Sequence, residues 1–207
     1  NKMLIRYDSQ VKNLSLNQDD FTLRKPVTIT INEFDEKATK DFFISCEEAL
    51  ETGQNLIPVI IDSFGGEVYS LLAMVDCIKQ SKIPIMTICS GKACSCGSIL
   101  LSCGHPGYRY ANPNSSIMVH DVSSVIYGKH NEMDIDLKEV KRLNVLIFKI
   151  LDENCKQKPG FFKQKLDKIN RGDLWLNANK AKEFRLIDHV GSPDLTYKIS
   201  AEFKISK

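Results

Sequence analysis

Apolar residues along the chain follow a strand period and a helix period in turn. Three runs have the period or the length of strands: VTITI (27–31), LIPVIID (56–62) and IPIMTIC (83–89). Apolar residues at helical spacing follow two of these runs, at 42–50 and at 68–79. The first half of the chain is therefore predicted to form alternating strands and helices.

Shorter elements and one long helix are predicted for the second half. A short apolar helix follows Ser95 and stops at Gly104, and extended pieces follow at 108–110 and 117–119. Residues 132–155 carry the longest helical pattern. About 24 residues would extend roughly 36 Å, which is enough to project from a small body.

A short helix capped by Asn177 and a closing strand, LIDHV, complete the pattern. Repeated β-α units of this kind predict an α/β fold, with a mainly parallel sheet and helices on both faces. No repeat, low-complexity stretch or linker divides the 207 residues, so one domain is expected.

Composition narrows the possible functions only a little. Hydrophobic residues make up 43% of the chain and charged residues 26%, as in an ordinary soluble globular protein. The net charge of +2 gives no reason to expect nucleic acid or an anionic membrane as a partner. No apolar run is long enough to span a membrane or to form the core of a signal peptide, so a soluble and untargeted chain is expected.

The cysteines indicate a reducing compartment, such as the cytoplasm or an organelle stroma or matrix. Seven are present, and several lie inside apolar runs, which predicts reduced core residues. Cys94 and Cys96 form a C-x-C pair with no second pair at zinc-ligand spacing, so we interpret them as packing residues. No metal and no cofactor is predicted.

Ser95 lies where a buried strand run passes through small residues into an apolar helix. Backbone N–H groups and the helix dipole at such a place favour the negative charge of an oxyanion, which suits a nucleophilic serine. The same place suits an N-capping serine, and caps are far commoner than nucleophiles. The segment alone leaves both roles open.

A second glycine-rich turn, DSFGGEV (62–68), also follows a strand run, so its amides are expected at the same carboxyl edge of a parallel sheet. Gly66 could donate a backbone N–H to an oxyanion there, and the amide of Cys96 is the second candidate donor. A Gly-Gly turn is also ordinary turn chemistry, and this one lacks the ending of a phosphate-binding loop.

One histidine and one aspartate are the candidate partners of the serine. His120 directly ends an apolar strand-like run, SSIMVH, whereas His105 and His130 lie among turn residues and are expected to be solvated. Asp173 precedes an aromatic-apolar strand, where it could be held beside an imidazole. Asp121 is the alternative acid, but neighbouring residues on a strand point to opposite faces. Spacing alone does not settle the choice of acid.

Taken together, these segments resemble the proteolytic subunit family of Clp proteases, serine peptidases that form rings and work with an AAA+ unfoldase. Four segments carry the resemblance: GKACSCG is similar to the nucleophile turn, RYANPNSSIMVH to the histidine segment, RGDLWLNANKAKEFRLID to the acid segment and IDSFGGEVYS to the oxyanion turn. The resemblance covers about residues 27–195. It implies Ser95, His120 and Asp173 as catalytic residues, with Gly66 and Cys96 as oxyanion donors.

The resemblance also implies a crotonase-like α/β fold in which residues of about 122–155 form a protruding handle. It implies homo-oligomeric rings, two heptamers stacked as a tetradecamer, a Clp-type AAA+ unfoldase as partner and unfolded polypeptides as substrates. The chain has no nucleotide-binding motif, so ATP-driven unfolding would come from another chain.

This chain departs from the family pattern in three places. Asp121 and Val122 follow the histidine where the family usually has Gln-Pro, and a second carboxylate near an imidazole can raise its pKa. Cysteines flank the nucleophile and could oxidise if exposed. The first 26 residues diverge from the axial-loop sequence of the family.

Three other functions stay open at this point. A catalytically silent ring subunit is disfavoured by the intact serine, histidine and aspartate motifs. A crotonase-type acyl-CoA enzyme would not need a seryl nucleophile. A phage-type capsid maturation protease would share the chemistry and differ in its substrate.

Overall fold

Strands and helices alternate through the residues that the structure describes, 25–123 and 129–196 of a computed structural model. The strands are β1 (Ile29–Ile31), β2 (Ile57–Ser63), β3 (Ile85–Cys94), β4 (Arg109–Ala111), β5 (Ser116–Val119), β6 (Leu174–Asn177) and β7 (His189–Val190). The helices are α1 (Glu36–Glu51), α2 (Val68–Gln80), α3 (Cys96–Ser102), α4 (His130–Asn154), α5 (Phe161–Asp167) and α6 (Ala178–Glu183). This order confirms the repeated β-α units predicted from the apolar pattern.

Residues 27–193 form one compact unit. The divergent N-terminal segment, 1–26, lies almost wholly outside the described residues, and so do residues 124–128 of the predicted handle region. The expectation of a single domain over all 207 residues therefore stays a prediction.

Side chains cap two of the later helices. Asn177 precedes α6 and accepts the backbone N–H of Lys180 at 2.9 Å, as predicted. The seven-residue helix α5 was not predicted, because so short a segment shows little helical period. Its start is held from α4 by buried Asp152, which accepts the backbone N–H groups of Gly160 at 2.6 Å and Phe162 at 3.2 Å.

Within the described residues the strands form one seven-stranded sheet. Its main path runs β1-β2-β3-β4-β7, and every neighbouring pair on that path is parallel. β5 pairs in parallel with the C-terminal part of β3, and β6 pairs with β5 in the antiparallel sense. The sheet is therefore mainly parallel, as predicted, with β6 as the exception.

A bend in β3 separates its two sets of neighbours. Ile61 of β2 lies opposite Cys89 and Ser63 lies opposite Ala93, so β3 has two extra residues between these pairs. Gly91 is among them, with a φ of +95° that few other residues adopt. β3 therefore runs past its predicted end at Cys89, and its last part pairs with β5 instead of β4.

The strand directions bring three chain segments to one edge of the sheet. β3 and β5 are parallel, so both end at that edge, and β6 begins there because it is antiparallel to β5. Ser95 follows β3, His120 follows β5, and Asp173 precedes β6. The topology therefore gathers all three residues before any side-chain contact is considered.

One face of the sheet is better covered than the other. β2 alternates fully buried and half-buried positions along its length, and Thr30 is exposed between two buried isoleucines of β1. In the part of the chain that the structure describes, one face of β1 and β2 is therefore covered more fully than the other.

α4 extends well beyond the core. Its 25 residues correspond to roughly 37 Å, none of residues 130–142 is buried, and burial begins at Leu143. The predicted protruding helix is thus confirmed, beginning two residues before its predicted start at 132. Neither α4 nor any other helix of the described residues is both long and apolar enough to cross a membrane.

Candidate active site

Ser95 occupies a sharp turn between β3 and α3. Its backbone has φ 54° and ψ −121°, a conformation that non-glycine residues rarely adopt and that costs of the order of 1–3 kcal/mol. Its N–H donates to the carbonyl of Met118 on β5 at 2.9 Å, and its side chain makes no capping bond to α3. Of the two roles left open by the sequence, the structure does not support the cap, because the turn directs the hydroxyl elsewhere.

His120 lies against that hydroxyl. Its Nε2 is 2.8 Å from Ser95 Oγ, which is hydrogen-bond distance. The imidazole is 24% exposed, so it is largely shielded from water but still reaches the surface. In the tautomer that leaves Nε2 unprotonated, this nitrogen accepts a hydrogen bond from the Ser95 hydroxyl.

Asp173 lies on the other side of the imidazole. Its Oδ1 is 3.9 Å from His120 Nδ1, and the carboxylate is 53% exposed. The β5–β6 register explains the proximity: Val119 pairs with Leu174, so His120 and Asp173 are the next residues to oppose each other beyond the ladder. The separation is longer than a hydrogen bond.

Asp121, the alternative acid, points away from the imidazole. Its Oδ1 accepts a hydrogen bond from Asn144 Nδ2 at 2.8 Å, and its Oδ2 accepts from Arg171 Nε at 2.8 Å. Partial burial raises the pKa of this carboxyl, but the hydrogen bonds from Arg171 and Asn144 outweigh it and hold the pKa below the ordinary value. Asp121 therefore stays ionised and bound to other partners.

The Gly-Gly turn packs directly against Ser95. A Cβ on Gly65 would lie 2.6 Å from the Cβ of Ser95, and a Cβ on Gly66 would lie 2.4 Å from the carbonyl oxygen of Phe34. Both glycines also have positive φ, at +113° and +153°. A residue with a side chain at either position would force a shift of the neighbouring chain, so glycine is required here for close approach.

Gly66 and Cys96, the candidate oxyanion donors, line one pocket together with Ser95 and His120. The amide of Cys96 is in the first turn of α3, where no intrahelical acceptor exists. The amide of Gly66 is not used in the bridge to Phe34, in which the next N–H along the chain is the donor. Both amides are therefore available to a ligand in that pocket.

The rest of the pocket wall is mainly apolar. Its apolar side chains come from α2, α3, α4, the end of β5 and the segment after β5: Val68, Leu71, Ile99, Val119, Val122 and Ile147. Ser98, Asp121 and Ser123 also line the pocket, so a mainly apolar wall carries a few polar groups, which is the usual arrangement of a site that binds an organic substrate.

The two cysteines beside Ser95 are not exposed, so the condition set for their oxidation is not met. Cys94 and Cys96 are both buried. Burial raises the pKa of Cys96 to about 11, and its Sγ lies 3.3 Å from the carbonyl oxygen of Gly66. All seven cysteines of the chain fall in the described residues, five buried and two half-buried, which confirms that most of them are core residues.

Of the two histidines predicted to be solvated, one is exposed and the other is half-buried. His130 is exposed, as predicted, with 84% of its side chain accessible. The prediction for His105 is wrong, because this residue is half-buried and its Nδ1 accepts the backbone N–H of Ile85 at 3.1 Å. The turn residues around His105 predict exposure, but they do not show that this turn folds back onto the start of β3.

Sequence reasoning missed three residues that support the site. Gly65 fits under Ser95, and Arg171 and Asn144 bind Asp121. Arg171 lies two positions before the candidate acid, but a single basic residue in a loop gives no periodic signal. Asn144 is one polar residue on a long helix and gave none either.

Known proteins match most of this chain. A sequence profile of the Clp protease family matches residues 52–194, an interval that includes all the candidate site residues. The ATP-dependent Clp protease proteolytic subunit 1 of Chlamydia pneumoniae is 34% identical to this chain over 136 residues, which cover 65% of this chain and 69% of that protein.

Proposed function

The chain belongs to the Clp protease family, which makes it a peptidase, and we propose that it cleaves unfolded polypeptides by serine-type chemistry at Ser95, His120 and Asp173. Its α/β architecture is the crotonase-like fold of that family. The observation that carries the proposal is the 2.8 Å contact between Ser95 Oγ and His120 Nε2, made by a serine in a strained turn. No metal or cofactor has a part in this chemistry.

Acylation comes first in the proposed mechanism. Ser95 Oγ attacks the carbonyl carbon of the scissile peptide bond while His120 Nε2 takes the hydroxyl proton. The same nitrogen then gives the proton to the leaving amine, and the C–N bond breaks to leave an acyl group on Ser95. Asp173 orients the imidazole and stabilises its positive charge, which requires the 3.9 Å separation to shorten during the reaction.

The negative charge that develops on the carbonyl oxygen is stabilised by the amides of Gly66 and Cys96. Their availability in the same pocket as Ser95 supports this role. Preorganised donors of this kind typically contribute 10²- to 10³-fold each to the rate. Water then attacks the acyl group, with His120 as base, and releases the second product.

Members of the family generally assemble into rings that work with Clp ATPases. For this chain we propose homo-oligomeric rings of seven subunits stacked as a tetradecamer, with a Clp-type AAA+ unfoldase as the partner that supplies polypeptide. The long, exposed first part of α4 supports such an assembly, since Ile135 is 64% exposed and Leu137 43% exposed. Large apolar side chains on a projecting helix are suited to contact another subunit.

No observation favours the other candidate functions. A silent ring subunit would not need a strained serine within hydrogen-bond distance of a histidine, and an acyl-CoA enzyme would not need the serine as nucleophile. A capsid maturation protease would use the same groups, so only its substrate would distinguish it.

Active-site labelling tests the proposal. A fluorophosphonate should modify Ser95 of the wild-type protein, and peptide mapping should locate the adduct there. Ser95→Ala should lose labelling and hydrolysis of short fluorogenic peptides while its native mass stays the same. Ser192→Ala removes an exposed hydroxyl far from the site along the chain and serves as the matched control.

Asp173→Asn tests the third group. We expect a loss in kcat of about 10- to 100-fold, smaller than the roughly 10⁴-fold loss for a buried triad aspartate, because this carboxylate is half exposed and not yet in contact. Turnover by Ser95→Ala equal to that of the wild type would reject the mechanism. Normal turnover by Asp173→Asn would reject only the role of the acid.

A further inference from the structure

The segments that carry His120 and Asp173 are joined by the β5–β6 ladder on one side only. The last pair of that ladder is Val119 with Leu174, and both site residues lie just outside it. The 3.9 Å separation of imidazole and carboxylate is too long for a hydrogen bond that could hold the two segments together. A contact beyond the ladder would limit how far the segment after Val119 separates from the segment before Leu174.

An ion pair provides that contact on the far side of the two residues. Arg171 donates to Asp121 Oδ2 through Nε at 2.8 Å and also through a terminal nitrogen, and its other terminal nitrogen donates to Asp167 at 2.8 Å. Asp121 directly follows His120, and Arg171 lies two positions before Asp173. The ladder and the ion pair thus enclose the imidazole and the carboxylate between them.

Both partners of this ion pair are themselves held. The second oxygen of Asp121 accepts from Asn144 Nδ2 at 2.8 Å, and the side-chain oxygen of Asn144 accepts the backbone N–H of Val122 at 2.9 Å. The segment after His120 is therefore anchored to α4 as well as to Arg171. The pair is also partly shielded, with Asp121 26% exposed and Arg171 42% exposed.

The backbone around Arg171 is shaped to present its side chain. Asn170 and Arg171 have φ of 53° and 58°, two successive left-handed residues that are not glycine. The N–H of Arg171 donates to the carbonyl of Leu166 at 2.8 Å, which winds the loop tightly against the end of α5. Such a conformation persists only where surrounding contacts compensate for its cost. The contacts of the guanidinium with Asp121 and Asp167 are compensation of this kind.

We propose that the Asp121–Arg171 ion pair is a positioning device that holds His120 and Asp173 in register for catalysis. Neither member touches the reacting atoms, so both are positioning residues. Arginine suits the task because its planar fork fixes direction as well as distance, which lysine cannot do. The inference rests on the proposed function, since it assigns a role relative to those two groups.

A double-mutant cycle tests this role. Arg171→Gln and Asp121→Asn should each lower kcat for a short fluorogenic peptide by about 10- to 100-fold, since misplacement by about 1 Å can cost 10²-fold. For Arg171→Gln, KM should change by less than about threefold, because Arg171 does not line the pocket that holds Ser95 and His120. The double variant should be no worse than the more severe single variant, as expected for two residues that act as a unit.

Controls separate positioning from general destabilisation. Lys37→Gln breaks the exposed Lys37–Asp41 pair on α1, and kcat should stay unchanged. Arg171→Lys keeps the charge without the fork and should recover only part of kcat. Thermal unfolding and native mass are recorded for each variant, so that kcat is compared between folded particles of equal mass.

The outcomes distinguish this inference from the proposed function. If the wild type is neither labelled at Ser95 nor active, the proposed function fails, and the inference fails with it. If the wild type is active and Arg171→Gln keeps kcat within twofold, only the inference fails. Where Arg171→Gln does not fold, the same criterion applies to Arg171→Lys. Losses in the two single variants that multiply in the double variant would also overturn it.

Discussion

Gly65 lies against Ser95, the proposed nucleophile, and a methyl group added to Gly65 would displace that serine. In Gly65→Ala the new Cβ would lie 2.6 Å from Ser95 Cβ and 3.1 Å from both Ser95 Oγ and the carbonyl oxygen of Cys94, whereas ordinary contacts begin at 3.4 Å. Ser95 must therefore shift by about 0.8 Å, because the glycine turn cannot retreat: Gly66 already lies against the backbone of Phe34. A displacement of that size is expected to lower kcat/KM by roughly 10- to 100-fold.

The substitution also has a backbone cost. Gly65 has φ +113°, and a residue with a Cβ in this region loses of the order of 1–3 kcal/mol of folding free energy. For a chain of this size that corresponds to a fall in Tm of roughly 2–4 °C per kcal/mol. The protein is therefore expected to stay folded while it loses activity.

Gly53→Ala is the matched control. Gly53 also has positive φ, at +73°, but a Cβ there would have nothing within 4 Å. It should reproduce a backbone cost of the same kind with no loss of kcat/KM. Fluorogenic peptide hydrolysis, the rate of fluorophosphonate labelling and thermal unfolding measure the three quantities. Equal kcat/KM for the two variants would refute the steric explanation.

Two further predictions concern stability and thiol chemistry. Asp188→Asn leaves buried Arg109 without its carboxylate and should lower the free energy of unfolding by about 3 kcal/mol in urea titrations at neutral pH. Burial raises the pKa of Asp188, but the contacts with Arg109 lower it by more, so the pKa in the folded protein is below the ordinary value. This stabilisation is therefore present above about pH 4 and is lost below it, as the carboxyl of the folded protein protonates. The two proteins should converge in stability there, and a constant difference would contradict this. A hydrogen bond with Cys46 lowers the pKa of Cys77 to about 7, while burial raises that of Cys96 to about 11. Iodoacetamide near neutral pH should therefore modify Cys77 first, and an early adduct on Cys96 in peptide maps would be the contrary result.

The sequence predicted most elements because their signal is local. The alternating period of β1, the continuous run of β2 and the long stripe of α4 each occupy consecutive residues, and burial in the structure follows those periods. It also predicted that His120 ends a strand and that Ser95 lies between a strand and a helix, since an apolar run precedes each of them. Short elements with little period, such as α5, were missed.

In the sequence, the resemblance to a family, not the spacing of residues, favours Asp173 over Asp121. Only the structure gives the physical reason. The register of β6 on β5 sets Asp173 opposite His120, while Arg171 and Asn144 draw the carboxylate of Asp121 away. These contacts join residues far apart along the chain, and no local pattern encodes them.

By itself, the sequence determined which segments become strands and helices, and which reactive side chains stand at their ends, because these depend on neighbouring residues. Tertiary structure alone decided that β3 bends at Gly91 to pair with β5, and so that a hydroxyl and an imidazole meet at 2.8 Å. The physical reason is that strand pairing depends on the packing of the whole sheet, and the position of each side chain at its edge follows from that pairing.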